Sequence, residues 1–518
     1  MPTPVYADSG SHVDDALREV AETYRRNLPP GTLQAFPVDG LDRLEMPVEI
    51  ASFRFPESHA SGPVVFDGFG YGRTRAEAAV GALGELAESA HSEVDLSSRD
   101  FVAGSYEEMV AQFGADGVCD PLTLCLPAGS RYEPSLPLEW TEAKRWPTGE
   151  RVFVPVEFAA VYGHQMRGRE PLITTITNGL GAGLTIEQAL SHGVLELLQR
   201  DGNCTTFRAL DQGVAIELDD SCSPELRALF DSLAAAGLDV VPKLASTEFG
   251  LVNAYVVGRD TDASGISIQT TACGEASHLD RERALRKAAI EYAAARSRKA
   301  FMHGPLDLIA RVSPDWYLPA YLEDFDPTQQ ETRATEAMME WVQMTQPELE
   351  TLLTDSVFRV DRTVKLSELP TVEPASIADP AARMNAVAQR LHAAGLEVLY
   401  LDHTPRESDS PSDEAAEFAV VKAIVPGLEG ETMSYGRLGE RGAKRLLDRG
   451  ESFVGLGKPS GTQLRVPLTA EAEERLGGPV WFDPASAAAR VGRHYALYRE
   501  PTAHTVPVMM DRAGLAYA

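Results

Sequence analysis

Apolar residues recur at helical spacing along 12–26, 75–92, 185–201, 223–236, 280–301 and 380–394, which predicts six helices. Short runs rich in Val, Leu, Ile and Tyr at 152–158, 238–244, 252–258, 396–402 and 418–425 predict strands between them. The alternation holds from about residue 12 to residue 445. Two phrases, "LAAAGLDVV" (233–241) and "LHAAGLEVL" (391–399), are near copies. Each reads as a helix that stops at a glycine, Gly237 or Gly395, and runs straight into a strand. Asp379-Pro380 supplies a cap and a first-turn proline for the second of these helices. The polar stretch "TPRESDSPSDEAAE" (404–417) reads as an exposed loop, and 324–356 as an acidic helical insertion. After about residue 446 the pattern loosens, so residues 1–445 read as the main domain and 446–518 as a C-terminal addition.

Three helices carry charge where an amphipathic surface helix would not concentrate it. In "HGVLELLQRDG" (192–202), Glu196, Gln199 and Arg200 stand at i, i+3 and i+4 and share one face. That face is either a solvated one held by a Glu196–Arg200 pair or a patch turned inward; His192, one turn earlier, either joins the patch or packs. In residues 68–92 a glycine-rich turn, Gly68 to Gly72, leads into a helix capped near Thr74. Its small residues Ala78, Ala79, Gly81 and Ala82 allow close packing, and Glu85 and Glu88 follow at i, i+3. Two carboxylates on a tightly packed helix are costly unless neutralised, for which Mg2+ is suited; otherwise they lie on a surface. The third helix, 281–301, buries Leu285, Ala288, Ala289 and Ala293 and carries Glu291, Arg296 and Arg298. Seven residues are almost two turns, so Glu291 and Arg298 share a face while Arg296 points away. Spacing alone does not put Glu291 and Arg296 in one pocket.

Composition narrows the class. The 518 residues, 44% hydrophobic and 24% charged, suit a globular protein of two to four domains or one large domain with additions. A net charge of −30 argues against a nucleic-acid partner, but not against ATP brought with Mg2+. No apolar run is long enough to span a membrane, and "MPTPVYADSGSHVDD" lacks the basic and apolar regions of a secretory signal. The five cysteines (119, 125, 204, 222 and 273) are odd in number and form no C-x-x-C pair, against a disulfide framework or zinc site. A reducing, cytoplasmic setting is expected.

Five ordered phrases over about 400 residues resemble the YcaO family of ATP-dependent peptide-modifying enzymes. They are "GLDRLEMPVEIASFR" (40–54), "GYGRTRAEAAVGALGELAE" (70–88), "TNGLGAGLTIEQALSHGVLELLQRDG" (177–202), "SHLDRERALRKAAIEYAAAR" (277–296) and "VVKAIVPGLEGETMSYGRLGERG" (420–442). The resemblance implies an α+β fold, with mixed and antiparallel sheets and packed helices surrounding a site for ATP and Mg2+. By motif matching, Gly81, Glu85, Glu88, Asn178, Glu196, Gln199, Arg200, Glu291 and Arg296 would bind the nucleotide. Glu85, Glu88, Glu196 and Gln199 would hold metal, with Arg200 and Glu196 acting in catalysis. The chain departs from the family at three of these places: Gly81 replaces a usual serine, Gln199 a usual carboxylate, and Ala294 a frequent glutamine.

The implied reaction is phosphorylation of a peptide backbone amide oxygen, which turns it into a leaving group. A neighbouring Cys, Ser or Thr then gives an azoline, sulfide a thioamide, and an amine an amidine; water gives hydrolysis, an ATP-dependent peptidase. A non-catalytic nucleotide-binding scaffold also stays open. Many azoline-forming relatives end in a proline-rich tail, whereas this chain ends "TVPVMMDRAGLAYA". No fused peptide-binding module is recognisable, so a leader-binding partner protein is expected beside the peptide substrate, as is a homodimer.

Overall fold

The structure is a computed structural model that describes residues 11–56, 64–262, 265–326, 328, 330–405 and 417–518. Residues 1–10 of the N-terminal stretch and 406–416 of the polar segment lie outside the described residues. All six predicted helices form: Ser11–Asn27, Arg75–Ser98, Ile186–Asn203, Pro224–Ala235, Arg281–His303 and Pro380–Ala393. Gly237 and Gly395 both take positive φ (81° and 78°), the left-handed stop expected of a glycine between helix and strand. Asp379 caps its helix through the Ala382 N–H. The insertion contributes two helices, Thr332–Val342 and Gln346–Thr354.

One predicted strand ends early. Residues 152–158 start within the strand Arg151–Pro155, but the chain then turns into a short helix, Val156–Ala159. Both halves are buried, and a short apolar run that is buried all round does not reveal which period it follows.

The fold is α+β, with four sheets. Thr32–Pro37, Val48–Arg54 and Val65–Tyr71 form an antiparallel three-stranded sheet. A five-stranded sheet runs in the order Gly274–His278, Val252–Asp260, Leu238–Ser246, Val214–Glu217, Arg362–Lys365, and only its last pair is parallel. A six-stranded antiparallel sheet runs Val102–Gly104, Leu138–Arg145, Leu399–Asp402, Ala419–Ile424, Leu180–Gly183, with Arg151–Pro155 paired to Leu138–Arg145. The fourth sheet is small: Val454–Leu456, Val480–Phe482 and Leu464–Arg465.

Residues beyond 446 feed two cores. Phe453, Val466, Val480, Phe482 and Val491 pack with Leu210 and Ala334, whereas Val506 and Met510 of the last helix, Thr505–Ala513, join Trp341, Tyr255 and Val257. Among the described residues no helix is long and apolar enough to cross a membrane.

Candidate functional site

The strands Val65–Tyr71, Leu180–Gly183 and Gly274–His278 each lie at the edge of a different sheet, and each leads directly into one of the three acidic helices. The entries are alike. Thr74 caps the first helix through the Glu77 N–H, Thr185 the second through the Gln188 N–H, and Asp280 the third through the N–H groups of Glu282 and Arg283. Close packing of strand on helix follows from glycine. A Cβ on Gly70 would stand 1.8 Å from the carbonyl oxygen of Ala78, and one on Gly181 2.1 Å from that of Ala189. Counted from the three caps, Glu85, Glu196 and Glu291 fall at the same place, about three turns along each helix. One turn further on stand Glu88, Gln199 and Ala294; one turn earlier stand Gly81, His192 and Lys287.

The three units close into a ring. The first helix touches its own strand and that of the second unit; the second helix touches its own strand and that of the third; the third returns to its own strand and that of the first. Edge-strand N–H groups that would otherwise lack partners donate to the carboxylates. Phe69 N–H donates to Glu85 Oε2 (2.8 Å), Ala182 N–H to Glu88 Oε1 (2.8 Å) and Gly179 N–H to Glu196 Oε2 (3.1 Å). The Tyr71 hydroxyl donates to Glu291 Oε2 at 2.9 Å.

Glu85, Glu88 and Glu196 act on one another across the hollow of the ring. Glu85 stays exposed to it, while Glu88, Glu196 and Glu291 are half-buried. Enclosure by protein raises the Glu85 carboxyl, opposed by the Phe69 N–H and Arg298, and pushes Glu88 well above the carboxylate range with the help of Glu85 and Glu196. Enclosure likewise lifts Glu291 to about 7, against the pull of Lys287. Negative charge is in excess here.

Arg200 faces two carboxylates. Its guanidinium reaches Glu196 Oε1 at 3.3 Å and Glu275 Oε2 at 3.7 Å, and its buried Nε has no partner. The pair anticipated within the helix therefore exists, but it faces inward. Gln199 Nε2 donates to Glu275 Oε2 (3.3 Å), which also accepts from Asn203 Nδ2 (2.5 Å). Arg200 and Asn178 line two adjoining cavities. One is bounded by Asn203, Arg208, Glu275 and Tyr435, the other by Phe158, Lys422 and Arg437. Lys422 donates to the Ile176 carbonyl at 2.6 Å, and burial lowers its ammonium to about 7.

Two residues carried over from the motifs stand apart from the ring. Arg296 is fully buried on the opposite side of its helix, paired with Asp42 (2.9 Å) and Asp260 (2.9 Å). Gly81 is a packing position: a Cβ there would stand 3.0 Å from Gly70 Cα, so the strand leaves little room for a serine. Conversely, Tyr71, Arg208, Glu275, Lys287 and Lys422 escaped the sequence reading. The signal that finds Lys287 is the common register from the three caps; the other four come from strands or loops that only folding brings near.

The family model described as YcaO cyclodehydratase, ATP- and Mg2+-binding, matches residues 69–429. The chain belongs to the YcaO family. An uncharacterized protein of Methanothermobacter thermautotrophicus is 27% identical over 425 residues, 80% of this chain and 97% of its own length. The structure of YcaO from Methanopyrus kandleri, bound with AMPPCP and Mg2+, is similar with a TM-score of 0.53 and 22% identity, over 82% of this chain and 93% of that one. A heterocyclase in complex with substrate and cofactor gives a TM-score of 0.59 and 16% identity, over 84% of this chain and 55% of that one. Both likenesses establish a YcaO fold here, and the family's ligands are ATP and Mg2+.

The donor set fits those ligands. Among the described residues no three His, Cys, Asp or Glu side chains stand close enough to hold an ion unaided. Mg2+ commonly keeps waters and takes oxygens from phosphate, so carboxylates spread around a hollow suit an ion that arrives with nucleotide. Glu85, Glu88 and Glu196 could hold such an ion, with the Gln199 amide oxygen beside them.

Proposed function

We propose that this YcaO protein uses ATP to phosphorylate a backbone amide oxygen of a ribosomally made peptide. The reading rests on one observation: three helices bring Glu85, Glu88, Glu196 and Glu291 into one ring in which carboxylate charge exceeds its partners, with Arg200 paired to Glu196 and lining the two neighbouring cavities. A polyanion with divalent metal supplies the missing cations and takes up the arginine.

Mg2+ would neutralise the phosphate oxygens and draw charge from the phosphoryl group. Arg200, already desolvated and with Nε free, would hold the charge of that group as the amide oxygen bonds to phosphorus and ADP leaves. Glu196 keeps the guanidinium aimed. The phosphorylated amide carbon is then open to a Cys, Ser or Thr side chain, sulfide or an amine, which releases phosphate and leaves an azoline, thioamide or amidine. The cavities beside Arg200 and Asn178 are the space for the peptide.

The test is a peptide carrying 18O in its backbone amides, incubated with the protein, ATP and Mg2+, with the expected leader-binding partner present. Labelled phosphate with a modified peptide supports the reading. Unlabelled phosphate beside accumulating product overturns it; cleaved peptide makes water the nucleophile, and no turnover makes the protein a scaffold. Arg200→Ala is expected to lower turnover far more than folding stability. The same reading includes a homodimer, tested by sedimentation, and a reducing cytoplasm, supported by five unpaired cysteines.

A further inference from the structure

The cations around the hollow are not equally engaged. Arg200 is tied to Glu196 and Glu275, and Arg208 to Glu275 at 3.7 Å while lying over the Tyr498 ring. Arg298 lies over the Phe69 ring and donates to Met302 Sδ. Lys287 forms neither an ion pair nor a hydrogen bond among the described residues, and it is exposed. Yet it is no ordinary surface lysine. It stands four residues before Glu291 on the helix Arg281–His303, so its side chain and that carboxylate share one face of the helix.

Its position is set by the repeated register. Gly81, His192 and Lys287 each stand one turn before the ring glutamate of their own helix. The first offers no side chain and the second an imidazole; only the third brings a fixed cation. One turn beyond the glutamates the carboxylate of Glu88 is matched by the amide of Gln199 and the methyl of Ala294. Relative to the carboxylate and the glutamine usual in the family at Gln199 and Ala294, this ring holds one fewer negative charge, and it carries a positive charge at Lys287. A compact ammonium with three free donors on a long stem is suited to phosphate oxygens as a point charge.

We propose that Lys287 binds the terminal phosphates of the nucleoside triphosphate and lowers the magnesium needed to hold it. The inference rests on the ATP reading of the hollow. Lys287 then does part of what metal would do where carboxylates are more numerous: it offsets charge on the phosphates directly.

Calorimetric titration of the full-length protein with AMPPCP and with AMP, each across a range of magnesium, tests this. Lys287→Gln is expected to weaken AMPPCP binding by about 10- to 100-fold, to leave AMP within about twofold, and to shift half-saturation by magnesium upward. Lys287→Arg should recover most of the loss. Equal AMPPCP affinity in wild type and Lys287→Gln overturns the proposal while the ATP reading stands. Equal loss for AMP and AMPPCP also overturns it, because the lysine would then act on the site as a whole. Wild-type protein that binds neither nucleotide removes the ATP reading itself and the proposal with it. Because Lys287 is exposed and unbonded, the melting temperature without ligand should not change; a large fall in both variants would make its role structural and overturn the proposal.

Discussion

The helix Arg281–His303 carries two ionic clusters on opposite sides, and their charge balance differs. On one side Arg296 is enclosed with all three guanidinium nitrogens bonded: Nε on Asp42 at 2.9 Å, and Nη1 and Nη2 on Asp260 at 2.9 Å each. Arg43 adds a second cation to Asp260. On the other side Glu291 joins Glu85, Glu88 and Glu196, and these carboxylates outnumber the nearby cations Arg200, Lys287 and Arg298, two of which are committed elsewhere. A closed cluster has nothing left to bind and serves the fold. An open cluster is tolerated by the apo protein only at a cost, which a ligand of opposite charge removes. Burial of charge is common to both; balance separates them.

Removing a partner should therefore act in opposite directions on the two sides. Arg296→Ala leaves Asp42 and Asp260 buried without their guanidinium and is expected to cost about 3–5 kcal/mol, the largest effect considered. Chemical denaturation would show it with or without nucleotide. A loss below about 1 kcal/mol would break the comparison, because the closed cluster would then not support the fold.

On the open side, Glu85→Gln and Glu88→Gln remove charge from a crowded ring. Apo stability is expected to hold or rise, while the stabilisation by ATP with Mg2+ disappears. For wild type that stabilisation is about 2.7 kcal/mol at a ligand concentration of roughly 100 times Kd. Thermal melts of both variants with saturating Mg2+ and ATP decide the matter: a full shift in each would remove the carboxylates from the metal site.

The same excess of charge predicts a pH dependence. Glu291, raised to about 7 by enclosure, binds a proton in the folded state that an unfolded carboxylate near 4.5 has already released. Its contribution is thus fully present below about pH 4.5 and lost as pH rises through 7. Glu291 should therefore stabilise the apo protein more at pH 5.5 than at pH 8, by on the order of 1–2 kcal/mol once water screens the charge; wild type against Glu291→Gln isolates this from buried neutral histidines such as His278 and His504, which act in the opposite sense. Glu85 and Glu88 shift in the same direction. The stability difference between wild type and Glu291→Gln should shift in favour of wild type as pH falls from 8 to 5.5; a difference that does not change with pH would mean that Glu291 is already ionised in the apo fold.

The sequence revealed the helices because apolar spacing, caps and stops agree along them: Thr74, Asp379, Gly237 and Gly395 all act as read. It also separated Arg296 from Glu291, since five residues turn a side chain to the far side of a helix. It did not show that the three acidic helices meet. Glu275 lies in a strand, Arg208 in a turn and Lys422 in another sheet, and no periodicity links them; they converge only when three sheet edges close the ring. The short strand Leu180–Gly183 was hidden for a different reason. It is built around glycines that admit the helix behind it, so the β-branched signature of a strand is missing.

Gln199 is the residue at which the two kinds of cluster come closest, and it yields the smallest expected effect. It is buried, and its amide donates to Glu275, which also receives Asn203 and faces Arg200 and Arg208. On the Glu275 side it therefore helps to complete a balanced group, while it also borders the ring beside Glu196. Gln199→Glu would replace that donor with a second carboxylate, and the amide bond to Glu275 would become a repulsion. The apo protein should lose about 1 kcal/mol, less where Arg200 and Arg208 compensate. At the same time the ring gains an oxygen ligand of full charge, so less magnesium should be needed for half-maximal ATP binding. Both changes together would place Gln199 at the junction of the closed and open groups. A magnesium titration that matches wild type, with the stability loss intact, would assign the residue to Glu275 alone and move the edge of the metal site back to Glu196.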